Sequence, residues 1–207
     1  MGAGEERHAR EEAEALASAR KSFLHLSKHA FSGLPKAYAL ELRTPDKLEG
    51  SLVYELAQHG IAPAATEPGA VSVTAQDLAP LLACRSFFEL LFPVARKASA
   101  VPELIARHAG AFLRELLPAA HAGEPPFGYR IEVRGEDADR AALAKAVAAK
   151  LDGGLLVNAP GNYEAELRIE LRRNGSADVF VKLYTIPDDR FAYRVGALPA
   201  SIHPATA

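Results

Sequence analysis

The sequence has no tryptophan, one methionine and one cysteine, and no apolar run approaches the roughly 18 residues needed to span a bilayer. A lone Cys84 cannot close an intrachain disulfide. Its place among Leu81, Leu82, Phe87 and Phe88 predicts a small buried thiol in a reducing compartment. A charge excess is also missing: 24 Lys plus Arg face 26 Asp plus Glu, so no global field draws in a polyanion and any nucleic-acid contact has to be local. Where a secretory signal would carry an apolar core, the chain has Glu5, Glu6, Arg7, Arg10, Glu11, Glu12 and Glu14, which excludes such a signal and makes cytoplasm the expectation. No repeat of fixed period is visible. No glycine-rich turn follows a strand, as a nucleotide-type cofactor would require, and no Gly-Xaa-Ser-Xaa-Gly elbow supports a nucleophile.

What is present is 207 residues, 49% of them apolar, enough for one good core or two small ones, and two small units are expected. Leu16, Ala19, Phe23, Leu26 and Ala30 recur at helical spacing and predict a charged N-terminal helix within residues 1–34, ended by Gly33 and Pro35. Tyr38, Leu40 and Leu42 alternate with Ala39 and Glu41 as a half-buried strand. Thr44, Pro45 and Asp46 then read as a helix start, with Leu48, Leu52, Val53 and Leu56 on its buried face and Gly60 at its left-handed end. A strand at 71–74, a helix at 76–83, an apolar strand at 87–94 and a helix at 101–117 complete the first part. The Pro- and Gly-punctuated segment 118–128 reads as a linker.

The second unit is more regular. Tyr129, Ile131 and Val133 oppose Arg130, Glu132 and Arg134 on a strand with one wet face, followed by a helix starting near residues 137–139, buried through Leu143, Val147 and Leu151 and stopped by Gly153 and Gly154. From Tyr163 to Arg172 the alternation is complete, with Glu164, Glu166, Arg168, Glu170 and Arg172 on one side. Asn174-Gly175 predicts a two-residue hairpin into a return strand through Val179, Val181 and Leu183. The expected class is α+β, a sheet with helices on one face and charges on the other.

Asn162-Tyr163-Glu164-Ala165-Glu166-Leu167, the return strand 178–184, and Tyr193-Arg194 through Leu198-Pro199-Ala200-Ser201-Ile202-His203-Pro204-Ala205-Thr206-Ala207 resemble the THUMP-containing, S-adenosylmethionine-dependent RNA methyltransferases. The resemblance does not extend to the charged helix expected at 1–34; it implies a ferredoxin-like domain at 35–100, a helical linker at 101–128, a THUMP-like domain at 129–190, and a connector at 191–207 to a catalytic domain absent from this chain. It further implies that the chain holds structured RNA, a tRNA or rRNA stem, without catalytic residues of its own, in an enzyme of the guanine N2 type. S-adenosylmethionine would belong to the missing domain, and no membrane partner is expected.

Duplex RNA is gripped mainly through phosphates and 2′-hydroxyls, which calls for fixed Lys and Arg side chains. The candidates are Arg173 and Lys182, which lack an adjacent acid in sequence, then Arg130, Arg134, Arg168 and Arg172 on the strands, with Lys145, Lys150 and Arg140 on the helix. Cross-strand ion pairs with Glu132, Glu164, Glu166 and Glu170 would account for the strand residues equally well. Glu124-Pro125-Pro126-Phe127 is similar to the Asn/Asp-Pro-Pro-aromatic loop that holds an exocyclic amine in such enzymes, but it has Glu in place of the amide or Asp and no preceding cofactor strand. His25 and His29, four apart, read as surface histidines rather than metal ligands for want of a third ligand. The Phe87, Phe88 and Phe92 cluster reads as core. Ser86 and His108 or His121 with a carboxylate form a triad on paper only, because no geometry-bearing turn supports it, and that reading is discarded. Two other functions stay open: a dimerisation or protein-interaction module that does not bind nucleic acid, and a hydrolase or small-molecule enzyme with a site assembled from scattered residues.

Overall fold

The computed structural model describes residues 29–135 and 139–190. The expected N-terminal helix before residue 29 and the connector after residue 190 lie outside the described residues. Residues 29–34, placed in that helix by their periodicity, are not helical: β1 (Ala30–Phe31) pairs with β6 (His121–Ala122).

The other strands form one mixed eight-stranded sheet. In chain order the described elements are β2 (Tyr38–Arg43), α1 (Glu49–Gln58), β3 (Ala65–Glu67), β4 (Ala70–Ala75), α2 (Ala79–Leu82), β5 (Glu89–Ser99), α3 (Pro102–Ala120), β6, β7 (Phe127–Arg134), α4 (Arg140–Leu151), β8 (Leu156–Asn158), β9 (Ala165–Leu171) and β10 (Ser176–Leu183). The spatial order is β3-β4-β2-β5-β10-β9-β7-β8, antiparallel except that β7 runs parallel to β8 and β9. The sheet is continuous across the expected boundary because β5 pairs β2 through Glu89–Leu91 and β10 through Phe92–Ser99. Segment 118–128, expected as a linker, contains the last turn of α3 with Pro118 inside it, β6, and the start of β7.

Local chemistry accounts for the shifted boundaries. The α1 helix begins at Glu49 rather than behind Thr44, because the Thr44 hydroxyl donates to the Ser86 carbonyl at 2.6 Å and Lys47 adopts a left-handed φ of 73° that no helix accommodates. Gly60 takes its expected place past the helix end, at φ 71°. The helix expected at 76–83 is reduced to the single turn α2, where Asp77 accepts the Ala79 N–H. Asp139 caps α4 by accepting the Ala142 N–H at 3.0 Å. The β9–β10 hairpin forms as expected, though not with two positive φ angles. Gly175 alone is left-handed (φ 75°), its N–H donates to the Arg172 carbonyl, and Arg172 closes on Ser176, giving the three-residue loop with a glycine bulge.

A single hydrophobic core runs under the whole sheet, joining Leu40, Leu42, Leu52 and Leu56 to Leu113, Leu117, Tyr129, Val147, Leu167, Ile169 and Val181. Phe87 and Phe92 belong to the interior, whereas Phe88 is partly exposed. Cys84 is buried as expected, and burial pushes its thiol up to about 11.

Candidate nucleic-acid interface

The second face of the sheet carries the charges, and it is not the solvated surface that the alternation suggested. Glu164, Glu166, Arg168 and Asp178 are all buried, with Arg168 only 1% exposed. Arg168 sits at the centre: its guanidinium donates to both Glu89 oxygens at 2.5 and 2.8 Å and to Glu166 Oε1 at 2.8 and 3.0 Å. Burial alone would raise the Glu89 pKa, but hydrogen bonds from Arg168 and the nearby Lys182 hold it at about 2. Glu166 moves down for the same reasons, with Arg130 as its foremost donor. The buried Arg168 stays charged because Glu89 and Glu166 outweigh the cost of its burial.

Arg130 donates to Glu166 at 2.9 and 2.5 Å and to the Tyr184 hydroxyl, while its guanidinium lies over the Tyr163 and Tyr184 rings at 4.6 and 5.1 Å. Lys182, expected to have no acid nearby, meets Glu89 at 2.8 Å, a partner contributed by β5 and therefore invisible in the local sequence. Arg134 pairs with Glu132 at 2.7 Å, Arg172 pairs with Asp178, and Lys150 pairs with Glu103 of α3 at 2.8 Å. Arg173 is exposed at the hairpin tip. Arg140 and Lys145 are exposed on α4 and make no ion pair with a described residue.

The candidate cations therefore fall into two groups. Arg168, Arg130 and Lys182 are committed to an internal network; for Arg168, burial removes the guanidinium from any ligand's reach. Arg140, Lys145 and Lys150 on the outer side of α4, Arg134 and Arg172 at the end of the sheet, and Arg173 at the hairpin tip remain accessible. The sequence reading missed Arg43 and Arg96 on this face. Their guanidiniums lie 5.1 and 4.6 Å from the ring of Phe180, which is fully buried. An Arg-Lys pair late in a strand carries no periodic signal.

The remaining motifs lose their chemical readings on geometric grounds. Phe127 of the Glu-Pro-Pro-Phe segment is buried, its ring 4.5 Å from His29 and 6.1 Å from His121, so it offers no surface for a base. His29 is not a surface histidine. Its Nδ1 lies 3.0 Å from Glu164 and its Nε2 2.9 Å from the Glu124 carbonyl; His25 lies outside the described residues. Burial lowers the His121 pKa, which suits a neutral ring donating from Nδ1 to the Leu117 carbonyl and accepting the Thr185 hydroxyl at Nε2. Among the described residues no cluster of His, Cys, Asp or Glu could hold a metal.

Asp139 at the start of α4 accepts the Ala142 N–H at 3.0 Å, so that amide is taken by the chain's own carboxylate. A groove of about 780 Å³ opens between Phe31, Leu34, Leu82 and Ile186, and two of its polar side chains are engaged within the chain. Gln76 donates to the Leu34 and Pro35 carbonyls, and Arg190 donates to the Cys84 and Phe87 carbonyls and to Asp188. Among the described residues no helix is long and apolar enough to cross a membrane.

No family model matches the chain, and no curated protein sequence does either. Among solved structures, TrmN from Thermus thermophilus is similar at 20% identity over 74% of this chain and 47% of its own (TM-score 0.49). A 4-thiouridine synthetase solved with RNA and ATP is similar at 11% identity over 72% and 42% (TM-score 0.45). SMU.472, a candidate methyltransferase complexed with SAH, is similar at 15% identity over 71% of this chain and 41% of its own (TM-score 0.52). This chain thus spans less than half the length of each of these three structures, and what it shares with part of SMU.472 is the fold.

Proposed function

We propose that the chain is the RNA-holding part of an RNA-modifying enzyme, a ferredoxin-like plus THUMP-like front that presents a tRNA or rRNA stem to a separate S-adenosylmethionine-dependent methyltransferase domain, with guanine N2 as the target. The observation that carries this reading is the fold shared with about two fifths of SMU.472, which was solved with SAH. The family resemblance of residues 162–167, 178–184 and 193–207 agrees with it. The electrostatics support a grip of modest area. The internal network holds Arg130, Arg168 and Lys182, while Arg140, Lys145 and Lys150 line the outer side of α4 and can meet phosphates without first breaking a buried pair.

The test is an electrophoretic shift of purified chain with a transcribed tRNA and an rRNA hairpin over a salt series. Binding that weakens linearly in log affinity against log salt is expected, and Lys145→Gln with Lys150→Gln reduces the slope by about 2. Absence of a shift at low salt, with the circular dichroism spectrum of the folded chain intact, overturns the reading.

A further inference from the structure

We infer that Arg96, Lys97 and Arg172, gathered on one buried carboxylate at the β5–β10 seam, form a phosphate-backbone contact for duplex RNA. The inference rests on the RNA-holding role proposed above and names a surface for it away from α4. Its starting point is an irregularity in the sheet. Ala177 pairs with Ala98 and Val179 with Ala95, so two residues of β5, Arg96 and Lys97, stand opposite the single Asp178 of β10. This is a bulge, a device that re-aims side chains at a sheet edge or site. Lys97 takes a left-handed φ of 49°, uncommon for a residue with a side chain. Asp178 holds it there by accepting the Lys97 N–H at 2.7 Å. The same carboxylate binds Arg172 and lies 3.9 Å from Arg96.

Burial raises the Asp178 pKa, and Arg172 with the Lys97 amide more than reverses it, so the carboxylate stays ionised. The other groups facing the cluster are Glu41, which pairs Arg96 and Arg43, Glu170, which pairs Arg43, and Glu67, which acts on Arg172 at longer range.

Depth decides what this face presents. Glu41 and Asp178 are 2% and 4% exposed, whereas Arg96 and Arg172 are 37% and 47% exposed. The acids lie beneath and the guanidiniums above. Lys97 is exposed and makes no ion pair with a described residue. The hairpin carries Arg173 alongside, because Ser176 is opposite Ser99 at the end of β5. The aromatic ring beneath, Phe180, is fully buried and lies under the Arg43 and Arg96 guanidiniums. The surface therefore offers fixed cationic donors and no stacking platform, which suits the phosphates of a duplex rather than the bases of a single strand.

The test is fluorescence anisotropy with a labelled RNA hairpin and a single-stranded RNA of equal length, over a salt series. Lys97→Asn removes the charge, and asparagine tolerates the left-handed backbone. Together with Arg172→Gln it is expected to weaken hairpin binding on the order of tenfold and to lower the salt slope by about 2, while Lys97→Arg binds as the parent does. Lys97→Asn alone, which alters an exposed side chain with no ion pair to a described residue, lowers the slope by about 1 and covers the case in which the double variant fails to fold. Parental hairpin affinity and slope in Lys97→Asn, beside a loss in the Lys145→Gln, Lys150→Gln protein, overturn this surface and leave the RNA-holding role standing. A parent that binds neither RNA overturns both. Tighter binding of the single strand than of the hairpin overturns the assignment to duplex.

Discussion

Replacing Arg168 by methionine removes a guanidinium of similar length from the middle of the charged face and leaves two carboxylates behind. Glu89 retains Lys182 and Glu166 retains Arg130, but each loses two hydrogen bonds of 2.5–3.0 Å. The Glu89 pKa of about 2 lies roughly two units below the ordinary value, worth about 3 kcal/mol at ~1.4 kcal/mol per unit. Arg168 shares that effect with Lys182, and Glu166 adds a contribution of the same sign. Breaking a buried pair from one side costs about 3–5 kcal/mol, and that is the expected loss at neutral pH. The folded-state pKa values are depressed, so the stabilisation is complete above the ordinary carboxylate value of about 4.3 and disappears as pH falls towards 2. In the variant, burial pushes both acids back up, and its deficit shrinks on acidification. Urea denaturation followed by circular dichroism, the chain having no tryptophan, measures this at pH 7 and pH 4. A deficit below about 1 kcal/mol at pH 7, the value of an exposed pair, refutes the reasoning, as does a deficit that does not shrink at pH 4.

Gly128→Ala places a Cβ 2.5 Å from the Asn162 carbonyl oxygen and 3.0 Å from the Tyr163 Cα, both backbone, so a loss of about 1–3 kcal/mol or more is expected in the same denaturation assay. Asp139→Ala deletes the α4 cap and lowers stability by about 1 kcal/mol, with Asp139→Ser recovering most of it. Cys84, buried with its thiol pushed up to about 11, reacts slowly with a thiol-specific disulfide reagent at pH 8 in the native chain and rapidly in urea; equal rates would contradict its burial.

Several elements were legible because their causes are local. The strict alternation from Ala165 to Leu171, the Asp139 cap ahead of Leu143, Val147 and Leu151, and Gly60 and Gly175 at left-handed positions follow from side-chain period and backbone sterics within a few residues. Where two local signals competed, tertiary contacts chose between them. Thr44, Pro45 and Asp46 look like a helix start, yet the Thr44 hydroxyl is taken by the Ser86 carbonyl, 42 residues away in sequence. The apolar run of β5 ends at Val94, yet the strand continues to Ser99 because β10 supplies the hydrogen-bond partners.

The sequence by itself determined the class of the molecule, its amphipathic strands, the Asp139 cap and the set of charges available to it, since these depend on residue type and short spacings. Only the tertiary structure decided which of those charges are buried in pairs and which stay exposed. The carboxylate that claims Lys182 comes from β5, 93 residues distant, and Asp178, already paired with Arg172 across its own hairpin, meets Arg96 and the Lys97 amide across the β5–β10 seam. Ion pairing and burial depend on separation in space, and strand order, which no period in a single strand encodes, sets that separation.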